Sequence, residues 1–337
     1  MKGLKIVGWV LVVLVILLAI GITATIGWKP FFGPSARALT DRRFESTPGR
    51  LERGKYLTEN VTPCFGCHSP RDWSKNESPE AQGMHGAGMP NFPFEGLPGT
   101  VHAPNITPDK ETGAGNWTDD QMARAIREGI GFDGRALFPM MPYENFRHMS
   151  DEDLASIIVY LRTIPPVKRQ VPKTELIFPV KYLIKNAPAP ITEPVPEPNL
   201  STPEKRGEYL VTLAVCRDCH TLMENGQRLT QLDLAGGDFL RGPWGAVTSA
   251  NITQSPSGIP YYDEALFLEV MRTGMVKARP LKQTMPWWYF RGMTDDDLKA
   301  MFAYLKTVPQ IQHRVDNSKP PSMCKVCGRE HNGGDLN

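Results

Sequence analysis

A pentapeptide occurs twice in this 337-residue chain, as Cys64-Phe65-Gly66-Cys67-His68 and as Cys216-Arg217-Asp218-Cys219-His220. Two thiols three positions apart, followed at once by an imidazole, suit one particular chemistry. The paired sulfurs reach one edge of a porphyrin and form thioether bonds to its vinyl groups, while the histidine turns under the ring to ligate iron. A zinc site or a disulfide beside a chance histidine is the competing chemistry, and the second copy makes it a poor account. The pattern predicts two covalently bound haem c groups, attached through Cys64, Cys67, Cys216 and Cys219, with His68 and His220 as proximal ligands.

Each iron then needs a sixth ligand or an open position, and the choice separates an electron carrier from a haem enzyme. Between Pro203 and Pro309 the only histidine is His220 itself, so a second histidine is excluded there. Met285, followed by Pro286, is the candidate, and Met141-Pro142 occupies the same place in the first half. Met141 is preferred over its neighbour Met140, and His85, His102 and His148 are the other distal candidates in that half. Matched methionines predict an electron-transfer protein without substrate chemistry of its own, against the alternative of a dihaem peroxidase. Asn105 and Asn251, with Arg241 and Trp244 in the second half, are candidate partners for the haem propionates, since buried carboxylates need donors. A turn formed by Asn-Ile-Thr is the plainer alternative.

These residues sit in a repeat that spans most of the chain. Arg53-Gly54-Lys55-Tyr56-Leu57 answers Arg206-Gly207-Glu208-Tyr209-Leu210, Asn105-Ile106-Thr107 answers Asn251-Ile252-Thr253, and Tyr160-Leu161-Arg162-Thr163-Ile164-Pro165 answers Tyr304-Leu305-Lys306-Thr307-Val308-Pro309. In each copy a helix precedes the haem motif (49–58 and 203–213), a second follows in the middle (118–129 and 262–274), and a third closes the copy after Ser150 or Thr294 as N-cap. Asp119-Asp120 and Asp295-Asp296-Asp297 read as helix-start charges rather than catalytic acids. First helix, haem motif, middle helix, methionine loop, last helix is the order of a class I cytochrome c domain. The expected fold is all-α: two tandem class I domains at 48–166 and 203–311, after an N-terminal transmembrane helix. Proline recurs through 167–202, which predicts an extended linker. Within it Ile177, Phe178, Tyr182 and Leu183 are apolar enough to pack on the domains, giving a stiff strap between the haems.

Ile6 to Trp28 carries no charge, long enough to cross a hydrocarbon core of about 30 Å. The reading is an uncleaved single-pass anchor over 1–30 with a juxtamembrane segment at 31–47, the alternative being a cleaved signal peptide ending near Ala36-Arg37-Ala38. The haem domains are then expected on the periplasmic side of the inner membrane. Lys29, Arg37, Arg42 and Arg43 lie just beyond the helix, where positive charge is usually scarce. A net charge of +2 gives no basic field and argues against nucleic acid as a partner. In the tail, 312–337, Cys324-Lys325-Val326-Cys327 precedes Gly328 rather than histidine. That pair reads first as a vicinal disulfide, and otherwise as a metal site with His331 or His313 or with ligands from a partner.

The chain resembles the membrane-bound multihaem cytochrome c subunits of periplasmic alcohol, aldehyde and sugar-acid dehydrogenases. The likeness rests on Arg53-Gly54-x-Tyr56-Leu57, Cys64 to His68, Asn105-Ile106-Thr107-Pro108-Asp109 through Gly115-x-Trp117-Thr118-Asp119, Met141-Pro142-Tyr143 and Ser150-Asp151-Glu152-Asp153. It implies a role in passing electrons from a dehydrogenase partner to a respiratory acceptor, within a multisubunit complex. Many members carry three haem motifs and this chain has two, which leaves a quinol-oxidising or oxidase assembly as the alternative setting.

Overall fold

In the computed structural model, which describes residues 2–224 and 226–333, the helix order repeats. The chain opens on α1 (Lys2–Thr25) and the short α2 (Lys29–Phe32). Then come α3 (Pro48–Tyr56), α4 (Cys64–His68), α5 (Asp119–Glu128), α6 (Tyr143–Phe146) and α7 (Asp151–Leu161). After α8 (Val180–Leu183) in the connecting stretch, the same five recur as α9 (Pro203–Leu213), α10 (Cys216–His220), α11 (Glu264–Thr273), α12 (Trp287–Phe290) and α13 (Asp295–Leu305). The starts follow from side-chain capping. Thr47 and Thr202 accept the amides of Arg50 and Lys205 ahead of a proline in the first turn, and Ser150 and Thr294 accept those of Asp153 and Asp297.

An all-α description is too simple. The described residues include five two-stranded antiparallel ladders: β1 (Gly99–Thr100) with β2 (Glu175–Leu176), β3 (Met223–Glu224) with β4 (Gln227–Arg228), β5 (Phe239–Gly242) with β6 (Gly245–Thr248), β7 (Met275–Val276) with β8 (Arg279–Pro280), and β9 (Pro321–Met323) with β10 (Glu330–Asn332). All lie in the loops, whose backbone groups must pair somewhere once they are drawn against the helices.

In each copy the first and last helices cross closely. A Cβ on Gly54 would stand 2.0 Å from the Ser156 carbonyl oxygen, and one on Gly207 would stand 1.9 Å from that of Ala300. The glycine in the repeated Arg-Gly-x-Tyr-Leu segment is thus a packing requirement. The apolar core does not stop at the boundary between copies. Leu57, Phe65 and Ile158 of the first belong to the same buried cluster as Leu210, Trp287 and Leu298 of the second.

Polar contacts between the copies are reciprocal. Arg53 pairs with Asp153 at 2.7 Å inside the first copy, and Tyr209 of the second donates its hydroxyl to that carboxylate at 2.8 Å. Arg206 pairs with Asp297 at 2.5 Å inside the second, and Tyr56 of the first donates to that one. The same hydroxyls accept the amides of Ser150 (3.2 Å, from Tyr209) and Thr294 (3.1 Å, from Tyr56), the two cap residues. Residues at the same repeat position therefore make the same bond in both directions.

The connecting stretch behaves differently from expectation. It lies along the first copy, with β2 paired to β1 and Thr174 donating to the His102 carbonyl at 3.1 Å. Ile177 and Phe178, expected to pack on the domains, are 58% and 76% exposed. They adjoin the segment that holds the foot of α1, where Lys185 donates to the Pro30 carbonyl and Asn186 to that of Ile26, each at 2.9 Å. Phe31 and Phe32 are exposed beside that segment. Of the juxtamembrane cations, Arg37 is neutralised by Asp120 (2.6 Å) and Glu128 (2.9 Å). Burial works against the Asp120 carboxylate, but the bonds from Arg37 prevail and bring its pKa down to about 2.

Candidate functional site

Both pentapeptides form a single helical turn, so their paired thiols lie on one side with the histidine at the turn's end. His68 Nδ1 donates to the Pro104 carbonyl at 2.7 Å, and His220 Nδ1 donates to the Ala250 carbonyl at 2.7 Å. Pro104 and Ala250 each precede the repeated Asn-Ile-Thr. With Nδ1 protonated and held, Nε2 of each ring keeps its lone pair for a metal. Burial depresses the pKa of both imidazoles, which keeps them in the neutral, ligating form. Burial also pushes the Cys64 thiol up to about 11 and those of Cys67 and Cys216 up to about 12. Such thiols are far from the depressed values of a redox-active Cys-x-x-Cys pair.

A cleft of about 380 Å³ opens beside the first pentapeptide. Cys64, Cys67 and His68 line it together with Met140 and Met141. Its surface is mostly apolar, which suits a porphyrin. The methionine loops share one backbone form: Met141 N donates to the Phe138 carbonyl and Met285 N to that of Lys282 at 3.0 Å, while Tyr143 N and Trp287 N return to the methionine carbonyls at 2.8 Å. Met285 is partly buried against the core. In the second copy Trp244 Nε1 and Thr284 Oγ1 are among the buried donors that find no hydrogen-bond partner among the described residues.

Several expected roles change. Asn105 Nδ2 donates to the Val167 (2.7 Å) and Arg169 (3.3 Å) carbonyls, and its Oδ1 accepts the amide and hydroxyl of Thr107. Asn251 does the same with the Ile311, His313 and Thr253 groups. With their amide hydrogens already spent, these asparagines clamp the chain that leaves the last helix instead of binding propionates. Arg241 is exposed and its guanidinium lies 4.7 Å from the centre of the Phe239 ring. His85 is engaged at both nitrogens, with Glu80 at 2.8 Å and Glu59 at 3.2 Å, which removes it from the distal candidates. His102 borders the first cleft and accepts the Asn91 amide at Nδ1, 3.1 Å. Asp119 and Asp120 do more than charge a helix start: they accept the backbone amides of Phe44 (2.9 Å) and Thr40 (2.7 Å), while Thr118 is the cap.

The methionine loop of each copy leads into a helix that touches the haem motif of the other. Asn145 on α6 donates to Asp218 inside the second pentapeptide at 2.9 Å. Its repeat partner Tyr289 on α12 donates to the Thr62 carbonyl just ahead of the first pentapeptide, at 2.5 Å. Each copy therefore bonds to the other at or just ahead of the attachment motif. Burial above all, and then the neighbouring Asp218 carboxylate, pushes the Cys219 thiol up. Nothing in the sequence marked Tyr56, Tyr209, Asn145 or Tyr289 for this; equal spacing in the repeat was the available signal.

A family model described as cytochrome c matches residues 51–165. The fructose dehydrogenase cytochrome subunit of Gluconobacter japonicus is 32% identical over 276 residues, 77% of this chain and 52% of that protein. The cytochrome c subunit of the quinone alcohol dehydrogenase of Gluconobacter oxydans is 27% identical, over 77% of this chain and 55% of that protein. A diheme cytochrome c-type protein of Cereibacter sphaeroides is 32% identical over 228 residues, 64% of this chain and 73% of that protein. The chain spans about half the length of the two dehydrogenase subunits.

Proposed function

Since the chain belongs to the family of multihaem cytochrome c subunits of dehydrogenases, we propose that it holds two haem c groups and relays electrons between them. Bound there, each haem supplies a one-electron couple at its iron. The chain's own residues do the rest. Cys64, Cys67, Cys216 and Cys219 fix the two groups covalently. The carbonyls of Pro104 and Ala250 orient His68 and His220, and Met141 and Met285 complete the ligand sets from matched loops. Thioether sulfur from these methionines would raise the potential of a bound haem and leave no place for a substrate, which fits a carrier and not a peroxidase. Trp244 Nε1, a buried donor with no partner among the described residues, would be available to a propionate of the second haem.

The observation that carries this reading is the crossed arrangement of the two copies, in which the short helix after each methionine bonds to the other copy at or just ahead of its attachment motif. A carrier with two separate sites has no use for it, whereas a relay needs close approach. The reading extends to a single-pass anchor in the inner membrane, with the haem-bearing part on the periplasmic side. Supporting it, the only helix among the described residues long and apolar enough to cross a membrane is the N-terminal one. The clamp of Lys185 and Asn186 on its foot and the exposed Phe31, Phe32 and Phe178 beside it also support this reading, as an apolar rim suited to a bilayer surface.

Mild-detergent purification from native membranes tests the proposal, with haem quantified per chain and co-purifying proteins identified by mass spectrometry. Two haems and a flavin- or quinone-cofactor dehydrogenase partner are the expected result. Oxidase or quinol-oxidising subunits would move the chain to a different respiratory assembly, and a high-spin ferric signal responsive to peroxide would overturn the carrier role.

A further inference from the structure

Four side chains that the haem sites do not use converge at the end of the described chain. His313 lies on the segment clamped by Asn251, Cys324 and Cys327 lie in the turn between β9 and β10, and His331 lies on β10. One ligand atom from each of the four lies within 4.8 Å of all the others. His313, His331 and Cys324 are buried, and Cys327 is half-buried.

The local geometry is that of a prepared site. His313 Nδ1 donates to the Ala235 carbonyl at 3.0 Å, and His331 Nδ1 to that of Asn332 at 3.1 Å. With both Nδ1 hydrogens committed, the Nε2 atoms meet 3.1 Å apart. That separation suits two ligand atoms of one cation. A tetrahedron with Zn–N bonds of about 2.0–2.1 Å has an N···N edge of about 3.3 Å. The cysteine turn is shaped in the same way: Val326 N points at Cys324 Sγ from 3.4 Å, and Gly328 N closes on the Cys324 carbonyl at 2.9 Å. An amide aimed at sulfur favours thiolate over thiol.

We propose that His313, Cys324, Cys327 and His331 bind one Zn²⁺ in a closed, structural Cys₂His₂ site. Two thiolates with two imidazoles at tetrahedral separations select zinc among common divalent ions, and a complete set of four protein ligands leaves no position for catalysis. The site staples the tail to the second copy. Thr248 and Asn332 bond side chain to side chain at 2.8 Å, and Asn317 donates to the Thr248 carbonyl at 2.9 Å. Ala235, which orients His313, adjoins Gly236, whose amide holds the His220 carbonyl at 2.7 Å. The staple therefore buttresses the backbone beneath the second proximal histidine. The first copy lacks it: the carbonyl that Asn251 takes from His313 corresponds to the one Asn105 takes from Arg169.

The test uses the full chain with its haems, purified without chelators. Elemental analysis should find one zinc per chain besides the haem iron, and zinc-edge X-ray absorption should find two nitrogens at about 2.0–2.1 Å and two sulfurs at about 2.3 Å. Cys324→Ser with Cys327→Ser should lower bound zinc at least about tenfold while the covalent haem count stays unchanged. A native Cys324–Cys327 disulfide found by mass spectrometry, an oxygen-dominated zinc shell, or failure of the reduced wild-type chain to take up added Zn²⁺ would each overturn the proposal. The wild-type measurements decide the matter even if the double variant does not fold.

Discussion

The two copies share their machinery and differ in what surrounds it. Capping, helix crossing, the held histidine, the asparagine clamp and the Met-Pro loop recur position for position. The chain leaving each clamp then takes a different course. From Arg169 it runs along the first copy to the foot of the N-terminal helix, and from His313 it turns into the Cys324–His331 loop. His68 is only 8% exposed, while His220 is half-buried. The repeat specifies how each Cys-x-x-Cys-His turn and its histidine are held, whereas the segments outside it specify how exposed each turn is and what packs beside it. A duplicated sequence becomes two inequivalent sites through its connections.

The severest way to break the equivalence is at the helix crossings. Gly54→Leu and Gly207→Leu each drive a side chain into a backbone oxygen, so each should cost several kcal/mol. Loss of folded, haem-loaded protein on expression is the expected readout, equal for the two sites if the crossings are equivalent.

Met141→His and Met285→His address the iron sites separately. Each should lower one of two potentials by on the order of 0.1 V or more and leave the other nearly fixed, as read by potentiometric titration followed in the visible bands. Because the first site is the more enclosed, Met141→His is expected to move the higher wave. Movement of both waves by either variant would mean that the crossed helices transmit ligand changes between haems.

Tyr209→Phe and Tyr56→Phe remove reciprocal bonds to the paired carboxylates. Each should destabilise by about 1.5–3 kcal/mol in denaturant unfolding. Tyr209 is the more buried of the two and should sit at the upper end. The double variant should lose cooperativity between the copies, seen as two unfolding transitions in place of one.

The smallest effect belongs to a feature of the first copy. Burial opposes the charge on His85, yet its bonds to Glu59 and Glu80 prevail and raise its pKa to about 9. A raised folded-state pKa stabilises the protein fully below the unfolded value of about 6.5 and loses that effect as pH rises through about 9. The wild type should therefore exceed His85→Gln in melting temperature at pH 6, with the gap narrowing toward pH 9.5. A gap independent of pH would assign His85 a packing role against Phe65, whose ring centre is 3.7 Å away.

What the sequence says of the candidate site comes from spacing, which covalent attachment would fix. Cys64 to His68 and Cys216 to His220 suit haem attachment, and the repeat points to Met141 and Met285 over the scattered histidines. Where sequence reasoning went astray, the same short segment allowed two partners. Asn105 and Asn251 were read toward haem propionates and bond instead to carbonyls of the extended chain past the last helix, because those carbonyls have no helix or strand partner and need donors. Ile177 and Phe178 were read as packing on the domains and lie exposed beside the foot of the N-terminal helix, since apolar character tells that a residue avoids water without saying what covers it.

By itself, then, the amino-acid sequence determined the haem motifs, the duplication, the order of helices with their caps and the apolar N-terminal helix. Each of these depends on neighbours a few positions apart or on a pattern repeated along the chain. Tertiary structure alone decided that the copies lock through Tyr209 to Asp153 and Tyr56 to Asp297, that the short helix after each methionine reaches the other copy at or just ahead of its attachment motif, and that His313 and His331 join Cys324 and Cys327. Those contacts join residues far apart in sequence, and only the folded core brings such residues within bonding distance.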